Sequence, residues 1–403
     1  MKLIKKNNNS NYENTFTYFE VIIIICISIL FGTILGNVLA LSKSKTIGVL
    51  KDKKLVEFVE TYQDITKNYY GKINKTMLID AGIKGMVDYL DDPYSTYMDK
   101  DSASTFNEYV EGKYSGIGAT ITYVDNNVVI ADIFKNSPAA KSKLKKGDKL
   151  ISINGESLEN KSLSDITSMI KNKNNTVIKL KIKRNDDEKT VKISTGTVEL
   201  PSVSSNIITK NDKSVGVIDI SIFASNTYKQ FKSTLKELES KKIDSLVIDV
   251  RGNLGGYLDQ VSEMISIFTK KGKVIYQIEE KGKKTKILDK TSEYKKYNIA
   301  VLIDSNSASA SEILASALQD SYDNSYIVGI NSYGKGTVQR AFSLSSGATI
   351  KYTTEKWLTP KGKWINKKGV TPDVIVELNK EHIDNPTTDN DNQLQAALDK
   401  VTQ

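Results

Sequence analysis

Histidine is almost missing from this chain of 403 residues: there is one, His382, in the polar stretch 379–384. That scarcity argues against the usual serine hydrolase, whose nucleophile needs an imidazole as general base. Cysteine is as scarce. The single Cys26 excludes an intramolecular disulfide, and its place inside an apolar run leaves neither a cysteine nucleophile nor a thiolate metal site. Arginine supplies only three of the 57 basic residues, Arg184, Arg251 and Arg340. Against 48 acidic residues the chain carries a net charge of +9, with its lysines interspersed among Asp, Glu and Asn. Nucleic-acid binders cluster arginine and aromatics on one face. A solvated lysine-rich surface fits this pattern better, and no nucleic-acid partner is expected.

Residues 21–41 carry no charge and are almost all apolar. Roughly 20 such residues cross a bilayer as a helix, which predicts a single membrane anchor after a short tail at 1–20. A cleaved signal peptide is the alternative, because Val38-Leu39-Ala40 suits a small-residue cleavage site. The run is long for a signal core of about 7–15 residues, which favours the anchor. Lysines flank both ends (Lys2, Lys5 and Lys6 before, Lys43 and Lys45 after), so charge alone does not set the orientation.

The length predicts two to three domains. Residues 46–112 show helical spacing, with Leu55, Phe58, Val59, Tyr62 and Ile65 and then Met77, Ile79, Ile83, Met86, Val87 and Leu90. The helical pattern breaks at Asp92-Pro93-Tyr94-Ser95-Thr96-Tyr97. From 113 to 197 short strands replace helices, with a helix start at Ser137-Pro138 and a two-residue hairpin turn at Asn154-Gly155. From 198 to 378 apolar strands near 215–222, 245–250, 299–304 and 326–329 alternate with amphipathic helices at 226–239 and 258–268. That alternation predicts an α/β core with a mostly parallel sheet, whose sites lie at the carboxyl ends of its strands. Residues 379–403 read as a polar tail ending in a short helix.

Two motifs fall at such strand ends: Arg251-Gly252-Asn253-Leu254-Gly255-Gly256 and Ser307-Ala308-Ser309-Ala310-Ser311-Glu312. A third, Gly334-Lys335-Gly336-Thr337-Val338-Gln339, follows the last strand. Taken alone, Ser309 to Glu312 fits a helix capping box, and Lys335 fits an exposed lysine in a glycine turn. Without a usable histidine, however, a neutral lysine is the known substitute as the base of a serine nucleophile.

The ordered set of motifs, Asp-Pro-Tyr-Ser-Thr-Tyr first, resembles the carboxy-terminal processing (tail-specific) peptidase family, from residue 46 to 401. That resemblance implies a membrane-anchored serine endopeptidase whose catalytic part is extracytoplasmic. It assigns Ser309 as nucleophile, Lys335 as base and Gln339 as the residue that holds the amine. Gly255 and Ala310 would supply the oxyanion-hole N–H groups. The segment 113–197 resembles a PDZ domain, with Gly116, Ile117 and Gly118 in its carboxylate-binding loop. The expected partners are protein or peptide substrates with free apolar C-termini and the membrane, a homo-oligomer remaining open; no metal or organic cofactor is implied. This chain departs from the family pattern in a spacing one residue longer between Glu312 and Lys335, in Asp323 to Tyr326 replacing an arginine-containing turn, and in Lys171 where an arginine is expected.

Two other classes compete. Gly329 to Lys335 matches the spacing of a nucleotide-binding loop, but Gly336 stands where a magnesium-binding hydroxyl is required, and residues 337–344 read as a strand. A membrane-anchored PDZ scaffold with an inactive peptidase domain is the other; the joint presence of Ser309, Lys335 and Gln339 argues against it.

Overall fold

A six-stranded sheet organises the C-terminal half of the chain. In this computed structural model, which describes residues 52–171 and 176–403, its strands run in the order Val203–Lys210, Lys213–Ile220, Ser245–Asp249, Ile299–Ile303, Ser325–Gly329 and Val374–Ile375. All neighbours are parallel except the first pair, which is antiparallel. The expectation of a mostly parallel sheet therefore holds for this layer. It fails for the second sheet of the core: built from Thr96–Met98, Val274–Glu280, Lys283–Leu288, Thr337–Ser343 and Thr349–Leu358, it is antiparallel throughout.

Strand periodicity of two explains how the parallel sheet is covered on both faces. Leu246 and Ile248 face one core with Ile299, Val301 and Ile303; Val247, Ala300 and Leu302 face the other. Helices Thr227–Ser240, Leu258–Ile265 and Ala310–Ser321 fill the first side with Phe231, Leu235, Met264 and Leu314. The second side is closed by helix Asn392–Thr402, whose Leu394, Ala397, Leu398 and Val401 are buried against it. The short helix that ends the C-terminal segment is thus not a solvated one. Its short run of apolar positions at helical spacing closes the core.

Residues 113–197 form a β-rich unit with its own core around Ile130, Ile153, Ile166, Leu180 and Ile193. Pro138 opens helix Pro138–Lys141 with Ser137 as its N-cap, and Asn154-Gly155 turns strand Lys149–Ile153 into Glu156–Ser157, both positions having positive φ. Such a turn demands left-handed backbone at both central residues.

The chain divides into two units after Gly82. In the first, helix Lys53–Asn68 is capped by Asp52, which accepts from the N–H groups of Lys54 and Leu55, and it buries no residue. Among the described residues no helix is long and apolar enough to cross a membrane. The expected anchor at 21–41 lies outside the described residues.

Candidate active site

Three strand ends converge to build the site. After strand Ile299–Ile303 the chain turns sharply at Ser309, whose φ of 55° and ψ of −110° are costly for a residue with a side chain. The turn is over-determined by its neighbours. Ser307 Oγ donates to the Val250 carbonyl at 2.8 Å, Ser311 Oγ to the Asn253 carbonyl at 2.8 Å, and Ala308 N–H to the same Asn253 carbonyl at 3.0 Å. Asn253 is fully buried and ties that loop to the sheet by donating to the Ile220 carbonyl at 2.7 Å.

Gly255 abuts the turn. A Cβ there would lie 2.8 Å from the Ala308 carbonyl oxygen and 2.9 Å from the Ser309 Cβ, and its φ of +104° favours glycine. Of the two expected oxyanion donors, Ala310 N–H opens the helix and has no carbonyl partner within it. Gly255 N–H instead donates to Asn253 Oδ1 at 2.8 Å, so in this conformation it is committed to a side chain.

The third strand end carries Lys335. Its carbonyl accepts from Trp357 Nε1 at 2.7 Å, and the Gly336 carbonyl accepts from Trp364 Nε1 at 2.9 Å. The flanking glycines are required by close approach. A Cβ on Gly336 would meet Trp364 Nε1 at 2.7 Å, and one on Gly334 would meet the backbone N of Gly369 at 2.9 Å.

Glu312, fully buried, joins the two segments. Its Oε2 accepts from Ser309 N–H at 2.8 Å and Lys335 N–H at 2.9 Å; its Oε1 accepts from Gly334 N–H and Ser332 Oγ, both at 2.6 Å. Burial pushes this carboxyl up, while the four donors work the other way. Two donors on each oxygen match the acceptor capacity of a carboxylate. The sequence reading saw only a capping-box partner for Ser309. The clamp on the lysine loop was invisible to it, because that contact spans 22–23 positions.

The Lys335 amine is lowered to about 8 by burial and then by the positive charge of Lys351, against the opposing pull of Glu312 and Asp92. Its Nζ stands 5.0 Å from the centre of the Tyr94 ring. Among the described residues no hydrogen bond joins Lys335 to Ser309 or to Gln339. Gln339 Nε2 donates to Thr337 Oγ1 and Thr353 Oγ1, each at 3.0 Å. Asp92 and Tyr94 were read as part of a helix boundary and of a family-like phrase, with no role at the site. The structure folds them against the site, because strand Thr96–Met98 pairs with Thr349–Lys351 and carries the preceding turn with it.

His382 stays in its own segment, with Nδ1 within 3.1 Å of the Thr387 carbonyl and 3.0 Å of Asn390 Oδ1. Residues Thr337–Ser343 form a strand, which removes the helix that a nucleotide-binding loop needs. Arg251 pins its own loop: Nη2 pairs with Asp249 at 2.6 Å and with Asp391, the N-cap of the C-terminal helix, at 2.8 Å.

In the β-rich unit, Ile117 is buried and Gly118 (φ +76°) is packed so that a Cβ would overlap Ser137 at 2.3 Å. The loop borders a cleft of about 350 Å³ lined by Tyr114, Gly116, Ile117, Ile121, Phe134 and Ile170 among others. Lys171, at the edge of this cleft, is ion-paired with Glu108 of helix Lys100–Glu111.

Residues 214–376 match the model of Peptidase family S41, residues 109–183 that of the PDZ domain, and residues 37–102 that of the Activating protease CtpB N-terminal domain. The chain is 40% identical to the carboxy-terminal processing protease CtpB of Bacillus subtilis (strain 168) over 332 residues, 81% of this chain and 68% of that protein. It is 36% identical to CtpA of the same organism over 332 residues, 81% of this chain and 70% of the relative. The solved photosystem II D1 C-terminal processing protease aligns over 81% of this chain and 87% of its own, at 23% identity and a TM-score of 0.46. A strained serine at a helix start, clamped to a buried lysine loop, sits within the stretch that these comparisons cover, and the chain belongs to peptidase family S41, the serine-type carboxy-terminal processing proteases.

Proposed function

We propose that the chain cleaves polypeptide substrates near their C-termini by a Ser309–Lys335 mechanism. The observation that carries this reading is the Glu312 clamp, which holds the backbones of Ser309 and Lys335 on one carboxylate oxygen while burial brings the lysine amine toward neutrality. A neutral Lys335 Nζ takes the proton of Ser309 Oγ as that oxygen attacks the scissile carbonyl carbon. The resulting oxyanion collects Ala310 N–H, and Gly255 N–H once Asn253 releases it. Collapse breaks the C–N bond, and Lys335 passes the proton to the leaving amine. Water, deprotonated by the same amine, then hydrolyses the acyl-serine. For the first step the amine leaves its place over Tyr94 and approaches Ser309, with Gln339 holding it there.

The β-rich unit is read as the module that captures free apolar C-termini, its cleft receiving the last side chain and the loop at Gly116 to Gly118 the carboxylate. Residues 21–41 are read as an anchor that holds the catalytic part outside the cytoplasm.

The test is peptide cleavage by the full chain. Ser309→Ala and Lys335→Ala are each expected to abolish it with the melting curve remaining cooperative, and His382→Ala to leave the rate unchanged. Substantial activity in either of the first two would sink the Ser309–Lys335 mechanism, whereas a parent chain that cleaves no peptide would leave a PDZ scaffold as the better reading.

A further inference from the structure

We propose that Asp92 is a positioning residue for the lysine base, acting through Thr353 to fix which end of the Gln339 amide faces Lys335. The inference rests on the Ser309–Lys335–Gln339 reading above and adds the part that sets its polarity.

The turn that contains Asp92 is fastened to strand Thr349–Leu358 at one point. Thr353 Oγ1 donates to Asp92 Oδ2 at 2.6 Å, and Ser95 Oγ donates to the same oxygen at 2.6 Å while accepting from Thr353 N–H at 3.2 Å. Tyr94 N–H closes the turn on Asp92 Oδ1 at 3.2 Å. Burial works against ionisation of Asp92, but the Ser95 and Thr353 hydroxyls outweigh it and hold the carboxyl below its usual range. Asp92 is therefore an acceptor only.

Hydrogen-bond polarity then propagates along the chain of contacts. Thr353 has one hydroxyl proton, and Asp92 takes it. The Thr353 oxygen can only accept from its other neighbour, Gln339, which must turn its Nε2 toward it at 3.0 Å. The second amide proton goes to Thr337 Oγ1 at 3.0 Å. Both N–H groups are thus consumed, and Oε1 is the end left to accept from an amine. A reversed amide would set two acceptor oxygens against each other at Thr353.

Strand geometry supports this assignment. The register between Thr337–Ser343 and Thr349–Leu358 slips at Val338/Gln339, where the bulged strand inserts Thr354, and this slip sets Gln339 directly opposite Thr353. Without the bulge Gln339 would pair with Thr354 instead. Tyr94, in the same turn as Asp92, has its ring centre 5.0 Å from Lys335 Nζ, which sets this turn beside the amine that the arrangement serves.

The experiment measures kcat and KM on the full chain for Thr353→Val, Thr353→Ser, Asp92→Asn, Gln339→Ala and the Thr353→Val/Gln339→Ala double variant. Valine keeps the shape of threonine without the hydroxyl. Asparagine keeps the shape of Asp92 but can donate to Thr353 and so release its proton toward Gln339, reversing the amide. Thr353→Val, Asp92→Asn and Gln339→Ala are each expected to lower kcat roughly 10- to 100-fold with little change in KM. Thr353→Ser is expected to retain most of the rate, and the double variant to be no slower than Gln339→Ala alone. A double variant slowed by the product of the two single effects would overturn the relay and leave the role of Gln339 standing. A fully active Gln339→Ala chain would overturn both, whereas the dyad itself fails only if Ser309→Ala or Lys335→Ala cleaves. Should Thr353→Val not fold, the cycle between Asp92→Asn and Gln339→Ala gives the same decision.

Discussion

Lys335 holds its Nζ 5.0 Å from the centre of the Tyr94 ring, so the amine of the proposed base rests on a π-face rather than on Ser309. A ring face favours the ammonium form over the neutral amine. Burial and Lys351 push in the opposite direction and prevail, leaving the amine at about 8 against its ordinary 10.5.

The pH dependence follows from that value. In the proposed mechanism neutral Lys335 is the active form, so the cleavage rate is expected to climb about tenfold per pH unit below about pH 8 and to level off above it. A rate flat from about pH 6 to 10 would remove a titrating base from that window. Stability runs with the same sign. The folded pKa lies below the unfolded one, so between about 8 and 10.5 the unfolded chain holds the extra proton and stability rises with pH; below about 8 the penalty is complete. Lys335→Met is therefore expected to melt at a higher temperature than the parent at pH 7 while cleaving nothing. A lower melting temperature would mean that the buried amine stabilises the fold.

Gly255→Ala is expected to be damaging although it adds one methyl group. Its Cβ would press on the Ala308 carbonyl and the Ser309 Cβ from a backbone with φ of +104°. The cost to stability is expected to be about 1–3 kcal/mol, read from the urea midpoint. The cleavage rate should fall further than stability alone explains, because the serine turn itself must move. Parent-like kcat in a folded Gly255→Ala chain would show that the close approach does not set the nucleophile.

For the β-rich unit the comparison is between a substrate peptide with a free C-terminus and the same peptide amidated, which removes the carboxylate charge and leaves the cleavage sequence intact. The amide is expected to be cleaved more slowly. The difference should shrink in Gly116→Ala, whose methyl group would meet the Tyr114 ring at 2.5 Å and shift it at the cleft. Equal rates for acid and amide would assign this unit to another task, such as steric gating or assembly.

Periodicity and turn chemistry carry most of what was legible in the chain. Four of the six strands of the mostly parallel sheet lie within two residues of their expected bounds, and the Asn154-Gly155 turn and the Ser137-Pro138 helix start are where local backbone preference puts them. These features depend on neighbours a few residues apart, and so does the placing of Ser309 at a helix start. Lys335 between two glycines was legible for the same reason.

Other features were decided only by packing across the sequence. Nothing in the pattern of residues 392–402 distinguishes a solvated helix from one that closes a core; the exposed side of the sheet makes that choice. Nor does any local rule join Asp92 to Thr353 across 261 positions, or place one carboxylate of Glu312 between the serine and lysine loops. A buried carboxylate must find its donors wherever the fold brings N–H and O–H groups together. The sequence by itself places Ser309 at a helix start and Lys335 between two glycines, and its ordered motifs carry the resemblance that proposes them as nucleophile and base. The tertiary structure alone supplies the burial that lowers the lysine and the Asp92–Thr353–Gln339 hydrogen bonds, because both arise from groups that only folding makes adjacent.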